Sequence, residues 1–265
     1  MYRQHFGITA CPLDKGGKTL FNTRQLDQLA SRFQWLLDSP GIGILTGDAG
    51  VGKTAALRHL TADLNPHCYK VIYSPDTDCC PRDFYRNLAV ALGLEPAYRR
   101  TQLWNDIKDC ITDLVDNKRI QPVWIIDEAQ NLPAQFFRDF PAFLNYAFDA
   151  RDMITVWFVG MPQLSHTLSR APTAALASRI HTRVHLDPIQ SFDQFKALID
   201  HGLKSVGCTQ TLLSDSGLEL LRQASQGKPR QVGQLLKTAM RLAVPKGLNH
   251  LPDDLVHEAI EGVLQ

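Results

Sequence analysis

The segment Gly47-Asp48-Ala49-Gly50-Val51-Gly52-Lys53-Thr54 constrains this chain more than any other. It reads G-x-x-x-x-G-K-T. It stands between a short apolar run, Gly43-Ile44-Leu45-Thr46, and a helical one, Ala55-Ala56-Leu57-Arg58-His59-Leu60. A buried strand that turns through glycines into a helix leaves successive backbone N–H groups facing one point. The positive end of the helix dipole stands behind them. Such a loop suits a triphosphate tail: Lys53 reaches the β- and γ-phosphates, and the Thr54 hydroxyl ligates Mg²⁺. The helix is predicted to run roughly from Lys53 to Leu64. Gly16-Gly17-Lys18-Thr19 ends in the same letters but lacks the first glycine and any preceding strand, so it reads as an ordinary loop.

Further apolar runs at Tyr69–Tyr73, Val123–Ile126, Ile154–Val159 and Arg183–Leu186 alternate with helical periodicity. One such helix opens at Pro81 and passes Phe84, Leu88 and Leu92. Another passes Leu103, Ile107, Ile111 and Leu114. Strands alternating with helices predict an α/β fold, a parallel sheet with helices on both faces. From Ser191 onward only helical spacing remains, with Ser214 and Asp253 as candidate N-caps. Three parts are therefore expected. Residues 1–40 form an N-terminal segment packing on the core, 41–188 an α/β nucleotide-binding domain, and 189–265 a small helical lid.

With 265 residues the chain can bury one large core or two small ones. A net charge of +1 excludes a grossly basic nucleic-acid coat and leaves room for a local basic stripe. No apolar run is long enough to cross a membrane and no charged-then-apolar leader stands at the N-terminus, so the expected location is cytoplasmic. The six cysteines include no C-x-x-C pair, which favours reduced thiols over a metal site.

Val123-Trp124-Ile125-Ile126-Asp127-Glu128 sets two carboxylates at the end of a buried strand. The C-terminal edge of an open α/β sheet is where ligands bind. Asp127 there can hold Mg²⁺ through water, and Glu128 can orient and deprotonate the water that attacks the γ-phosphate. Carboxylates entering a helix also suit its dipole without any catalytic role. The preceding phosphate loop, with one strand between, favours the catalytic assignment.

Gly47–Thr54, Ile126-Asp127-Glu128-Ala129-Gln130-Asn131-Leu132, Val159-Gly160-Met161-Pro162-Gln163-Leu164 and Gly227-Lys228-Pro229-Arg230 follow one another in the order of an AAA+ ATPase, which the chain resembles. The phrase D-E-A-Q-N-L, with the opening Met1-Tyr2 and Phe6-Gly7, is similar to the ExeA-type branch and to the transposition ATPases TnsC, TniB and MuB. The resemblance implies ATP and Mg²⁺ as ligands and gives Arg230 the role of a second-sensor arginine on the γ-phosphate. It makes Arg179 an arginine finger for a neighbouring subunit, with Arg183 as its competitor, and so implies a homo-oligomer, either a ring or a helical filament. At the first-sensor position, where G-Q-P is usual, this chain reads Gly160-Met161-Pro162. A thioether is a weak acceptor and no donor, which implies slow hydrolysis or a substitute such as Gln163.

The resemblance leaves three roles open: a regulator of transposition, a secretion-assembly ATPase of the ExeA kind, and a nucleotide-switched scaffold without DNA. The membrane span and peptidoglycan-binding domain of ExeA-type proteins are expected to be missing here, which weighs toward the first. That role implies assembly on duplex DNA, marking of target sites, and a DDE-type transposase as partner, with a target-selection protein as a further candidate. Arg99, Arg100 and Thr101, in the polar stretch Tyr98–Gln102 before a helix, are the expected contacts to DNA phosphates. Lys118 and Arg119 are weaker candidates, and a solvated positive loop is the alternative.

Overall fold

The computed structural model describes residues 2–14, 16–17 and 19–264. In chain order the elements begin with α1 (Tyr2–His5), α2 (Arg24–Asp38), β1 (Ile42–Gly47), α3 (Lys53–Ala62), β2 (Tyr69–Ser74), α4 (Pro81–Leu92) and α5 (Arg100–Thr112). They continue with β3 (Gln121–Ile126), α6 (Ala134–Phe143), β4 (Thr155–Gly160), α7 (Gln163–Leu168), α8 (Ala174–Ala177) and β5 (Ile180–Leu186). The last four are α9 (Phe192–Ser205), α10 (Asp215–Ser225), α11 (Pro229–Ala243) and α12 (Asp253–Leu264). Gly16, Gly17 and Thr19 belong to no helix or strand, while Met1 and Lys18 lie outside the described residues.

Two compact units share the chain. One joins Thr23–Gly47 to Ala56–Leu186. Its five-stranded sheet has the order β2-β3-β4-β1-β5, and every pairing is parallel. β1 and β4 are buried at every position, as continuous apolar runs in the middle of a covered sheet should be. The edge strand β5 alternates, burying Thr182, Val184 and Leu186 while exposing His181, Arg183 and His185. Helix α2 starts where the Thr23 hydroxyl accepts from Leu26 N–H at 3.3 Å, and it buries Leu29, Phe33, Leu36 and Leu37 at helical spacing. Pro81 opens α4 and Gly93, in the left-handed region, closes it. Between α4, α5, α6 and the sheet lies an aromatic core that includes Phe84, Tyr85, Trp124, Phe136 and Phe140.

The other unit joins the residues up to Asn22, the loop Asp48–Ala55, and the chain from Asp187 onward. Helices α9–α12 surround a second core with Phe195, Leu221, Leu236 and Val256. Ser214 caps α10 by accepting from Gly217 N–H at 2.9 Å. Asp253 opens α12 and accepts from the Ser214 hydroxyl at 2.7 Å.

The expected N-terminal segment 1–40 divides between these units. Arg24–Asp38 belongs with the sheet, but the residues before Thr23 pack on the C-terminal helices. Thr9 N–H donates to Val206 O at 2.9 Å and Leu13 lies against Gly202 and Gly233. A Cβ at Gly202 would stand 2.8 Å from Leu13 Cδ2, so the small residues on α9 and α11 make the slot that holds this segment.

Candidate active site

The phosphate loop begins at the last residue of β1 and ends in the first turn of α3. Gly50 and Gly52 take φ of +89° and +105°, a region that residues with a Cβ rarely adopt, so the curl of the loop depends on them. Lys53 is 7% exposed and its Nζ donates to Asp48 O at 2.9 Å. Two residues of Gly227-Lys228-Pro229-Arg230 meet the same loop. Lys228 Nζ lies 3.2 Å from Asp48 Oδ2, and Arg230 N–H donates to Gly50 O at 3.2 Å. A Cβ at Gly50 would come within 3.2 Å of Arg230 Cβ. The exposed Arg230 guanidinium is thus carried by a residue that abuts the loop.

In the sheet unit, β1 and β3 flank β4 in parallel, so all three end along one edge. Asp127 follows β3 directly and is buried; its N–H donates to Ser74 O at 3.0 Å and extends the sheet by one residue. Tyr73, on the neighbouring strand β2, donates its hydroxyl to Asp127 Oδ2 at 2.9 Å. Burial first, and the Asp127 charge second, push this phenol up to about 12. Glu128 takes a left-handed conformation, φ 50° and ψ 36°, which costs a non-glycine residue about 1–3 kcal/mol. Thr77 Oγ1 donates to Glu128 O at 2.9 Å, and Glu128 N–H donates to Asp127 Oδ1 at 2.9 Å. This turn swings Glu128 from the strand into an exposed position beside the buried Asp127.

A glycine-rich loop before a helix and a carboxylate pair after a strand are both features that nucleotide-hydrolysing proteins use. Residues 37–168 match the family model described as AAA domain. The protein is an ATPase with the AAA+ fold. Over 255 residues it is 28% identical to General secretion pathway protein A of Aeromonas hydrophila, an alignment covering 93% of this chain and 46% of that protein. The ATPase thus spans less than half the length of this curated relative. Among solved structures it is similar to the Aeropyrum pernix ORC1 protein in complex with DNA. That TM-score is 0.71 at 15% identity, over 95% of this chain and 68% of the other. The A. pernix ORC2 protein matches with a TM-score of 0.68 at 18% identity, over 98% and 71%. Both likenesses establish the fold. Among the described residues, no helix of the ATPase is long and apolar enough to cross a membrane.

The remaining sequence candidates lie in the sheet unit. Arg179 precedes β5 and is engaged within its own chain, donating to Asp149 Oδ2 at 2.6 Å and to Pro141 O at 3.3 Å. Arg183 points outward from β5 into an open groove of about 510 Å³ that it shares with Arg24, Arg32, Trp35 and His185. Tyr98–Gln102 is not wholly a loop. Arg99 is the N-cap residue of α5, and the helix starts at Arg100. Thr101 is exposed in its first turn, but the Arg100 guanidinium is taken up by Asp139 at 2.8 Å and by the Trp104 ring at 4.5 Å. Lys118 is paired with Asp113 at 2.7 Å. Met161 follows β4, and Gln163, the suggested substitute, is exposed at the start of α7.

Two residues of the site carry no function in the sequence reading. Tyr73 reaches Asp127 because β2 and β3 pair with Tyr73 opposite Ile125. Gln130 lies inside D-E-A-Q-N-L, and its amide holds both Glu128 and the end of β4.

Proposed function

We propose that this ATPase is a nucleotide-switched regulator of transposition that assembles on duplex DNA, marks target sites and activates a DDE-type transposase. In this reading Gly47–Thr54 and Lys53 hold the phosphates and Arg230 senses the γ-phosphate from the lid. Thr54 and Asp127 are the Mg²⁺ ligands, and Glu128 takes the proton of the attacking water. The donors present fit that group: a buried carboxylate ending β3 and a hydroxyl one residue after the loop lysine. Bound Mg²⁺ would offset the charge that builds on the phosphate oxygens. Arg179 completes the site of a neighbouring subunit once it leaves Asp149, which makes the active form an oligomer.

The observation that carries the DNA part is the surface at the start of α5. Tyr98 is 79% exposed, with the Arg82 guanidinium 4.4 Å from its ring centroid. Arg99 beside it is exposed, and no side chain caps the helix. Cations, an aromatic face and open N–H groups together suit a phosphate backbone. Arg99 and Thr101 make the contact, and Arg100 positions the helix through Asp139. The same architecture has a precedent on DNA in the ORC1 complex. One observation favours a second reading, secretion assembly: the match to General secretion pathway protein A runs through nearly the whole chain.

Anisotropy with labelled duplex DNA across a salt series, with ATP and without nucleotide, separates the two. The expected result is ATP-dependent, sequence-independent binding. Replacing Arg99 with Ala should flatten the log–log salt slope by roughly one unit per lost phosphate contact. Absence of DNA binding by the parent under every nucleotide condition would remove the transposition reading and favour a protein-docking or secretion role.

A further inference from the structure

The Gln130 carboxamide bridges two groups that belong to different strands. Its Nε2 donates to Glu128 Oε2 at 2.7 Å, and its Oε1 accepts from Met161 N–H at 3.0 Å. Only this amide orientation satisfies both neighbours, because a carboxylate can only accept and a backbone N–H can only donate. The bridge needs Gly160: a Cβ there would overlap Gln130 Oε1 and lie 3.4 Å from Gln130 N. Gln130 itself is fixed by the short turn Ala129–Asn131, which Asn131 N–H closes onto Glu128 O at 3.0 Å.

Met161 supplies no polar side chain at the end of β4, yet its backbone N–H is used there, on Gln130. We infer that Gln130 is a positioning residue for hydrolysis: it ties the Glu128 carboxylate to the end of β4 and does the polar work that residue 161 cannot. The inference rests on Glu128 being the general base. With Oε2 occupied by Gln130, Oε1 is left to accept the water proton. As the water oxygen bonds to the terminal phosphorus, the phosphorus–oxygen bond to ADP breaks, releasing ADP and inorganic phosphate, and Glu128 later returns the proton to solvent. Gln130 exchanges no proton. It fixes the direction of the acceptor oxygen.

The test is steady-state ATP hydrolysis by the full chain with Mg²⁺, over a range of ATP concentrations and with duplex DNA present. Gln130→Ala should lower kcat about 10–100-fold, with KM for ATP within about twofold of the parent, as is usual when a supporting hydrogen bond is lost. Gly160→Ala, which displaces Gln130 without altering it, should show the same loss. The double variant should lose no more than either single one, since both break one bridge. Gln130→Glu keeps the shape but places a second carboxylate beside Glu128. With the amide donor replaced by a like charge, kcat should fall at least as far as in Gln130→Ala while KM for ATP stays within about twofold, a split that a purely structural role would not produce. Glu128→Gln is the control for the underlying assignment and should be inactive. If Glu128→Gln is inactive while Gln130→Ala or Gln130→Glu stays within twofold of the parental kcat, the inference is overturned and the base assignment survives. If Glu128→Gln hydrolyses at the parental rate, the base assignment itself fails.

Discussion

Gly43→Ala tests the packing that carries the phosphate loop. Gly43 sits on β1 opposite Trp157 on β4. A Cβ at this position would lie 2.7 Å from Trp157 Cε3 and 2.8 Å from Cδ2 and Cζ3. Carbon atoms rest at about 3.5–4.0 Å, so the indole must retreat by about 1 Å. It has little room to do so: Trp157 is fully buried and stacks on Phe33 of α2 at 5.8 Å. Overpacking of this kind costs about 1–3 kcal/mol. Alanine also restricts the unfolded chain, which returns about 0.4–1 kcal/mol because the Gly43 backbone is not left-handed. The net expectation is a loss of about 1 kcal/mol, or roughly 2–4 °C in the melting temperature of a unit this size. Urea unfolding followed by far-UV circular dichroism measures it. Trp157→Leu supplies the second corner of a cycle, since a smaller side chain at 157 makes room for the new methyl group. The double variant should be more stable than the sum of the single effects by about 1 kcal/mol or more. A Gly43→Ala loss below about 0.5 kcal/mol, or strict additivity with Trp157→Leu, would refute the argument that glycine is held here by the indole.

Mixing Arg179→Ala with Lys53→Ala protein should recover ATPase activity that neither shows alone, because each subunit supplies what the other lacks; no recovery from variants that still co-assemble would count against a finger acting in trans. Tyr73 should titrate near 12 in the folded protein. Its protonated form is favoured by the fold, so its contribution to stability is complete below the unfolded value of about 10 and is lost as pH rises through about 12. Asp127→Asn should lower that midpoint while burial keeps it above 10, read by carbon-13 tyrosine NMR in alkaline solution; an unmoved midpoint would mean that Asp127 does not act on the phenol.

Local chain features announced much of this protein. The phosphate loop is eight consecutive residues between a strand and a helix, and Asp127-Glu128 is a dipeptide at a strand end; both depend on backbone geometry that short sequence dictates. The alternation of apolar runs with helical spacing gave the parallel sheet for the same reason, because burial on both faces leaves its mark on every position of a strand. Other features rest on pairings that no local pattern encodes. Arg100 looks like a free phosphate contact until α6 brings Asp139 to it, across 39 residues. The N-terminal residues have their place on the C-terminal helices because Gly202 and Gly233, far along the chain, open a slot for Leu13. Tyr73 meets Asp127 only through the register of β2 on β3, and Gln130 links Glu128 to Met161 only because β4 ends beside the turn after β3. The sequence determined which side-chain types stand on the glycine-rich loop and at the strand end, since that is a matter of local spacing. Which of them hold one another in position was decided by the tertiary structure, because strand register and close packing set distances of a few ångströms between residues tens of positions apart.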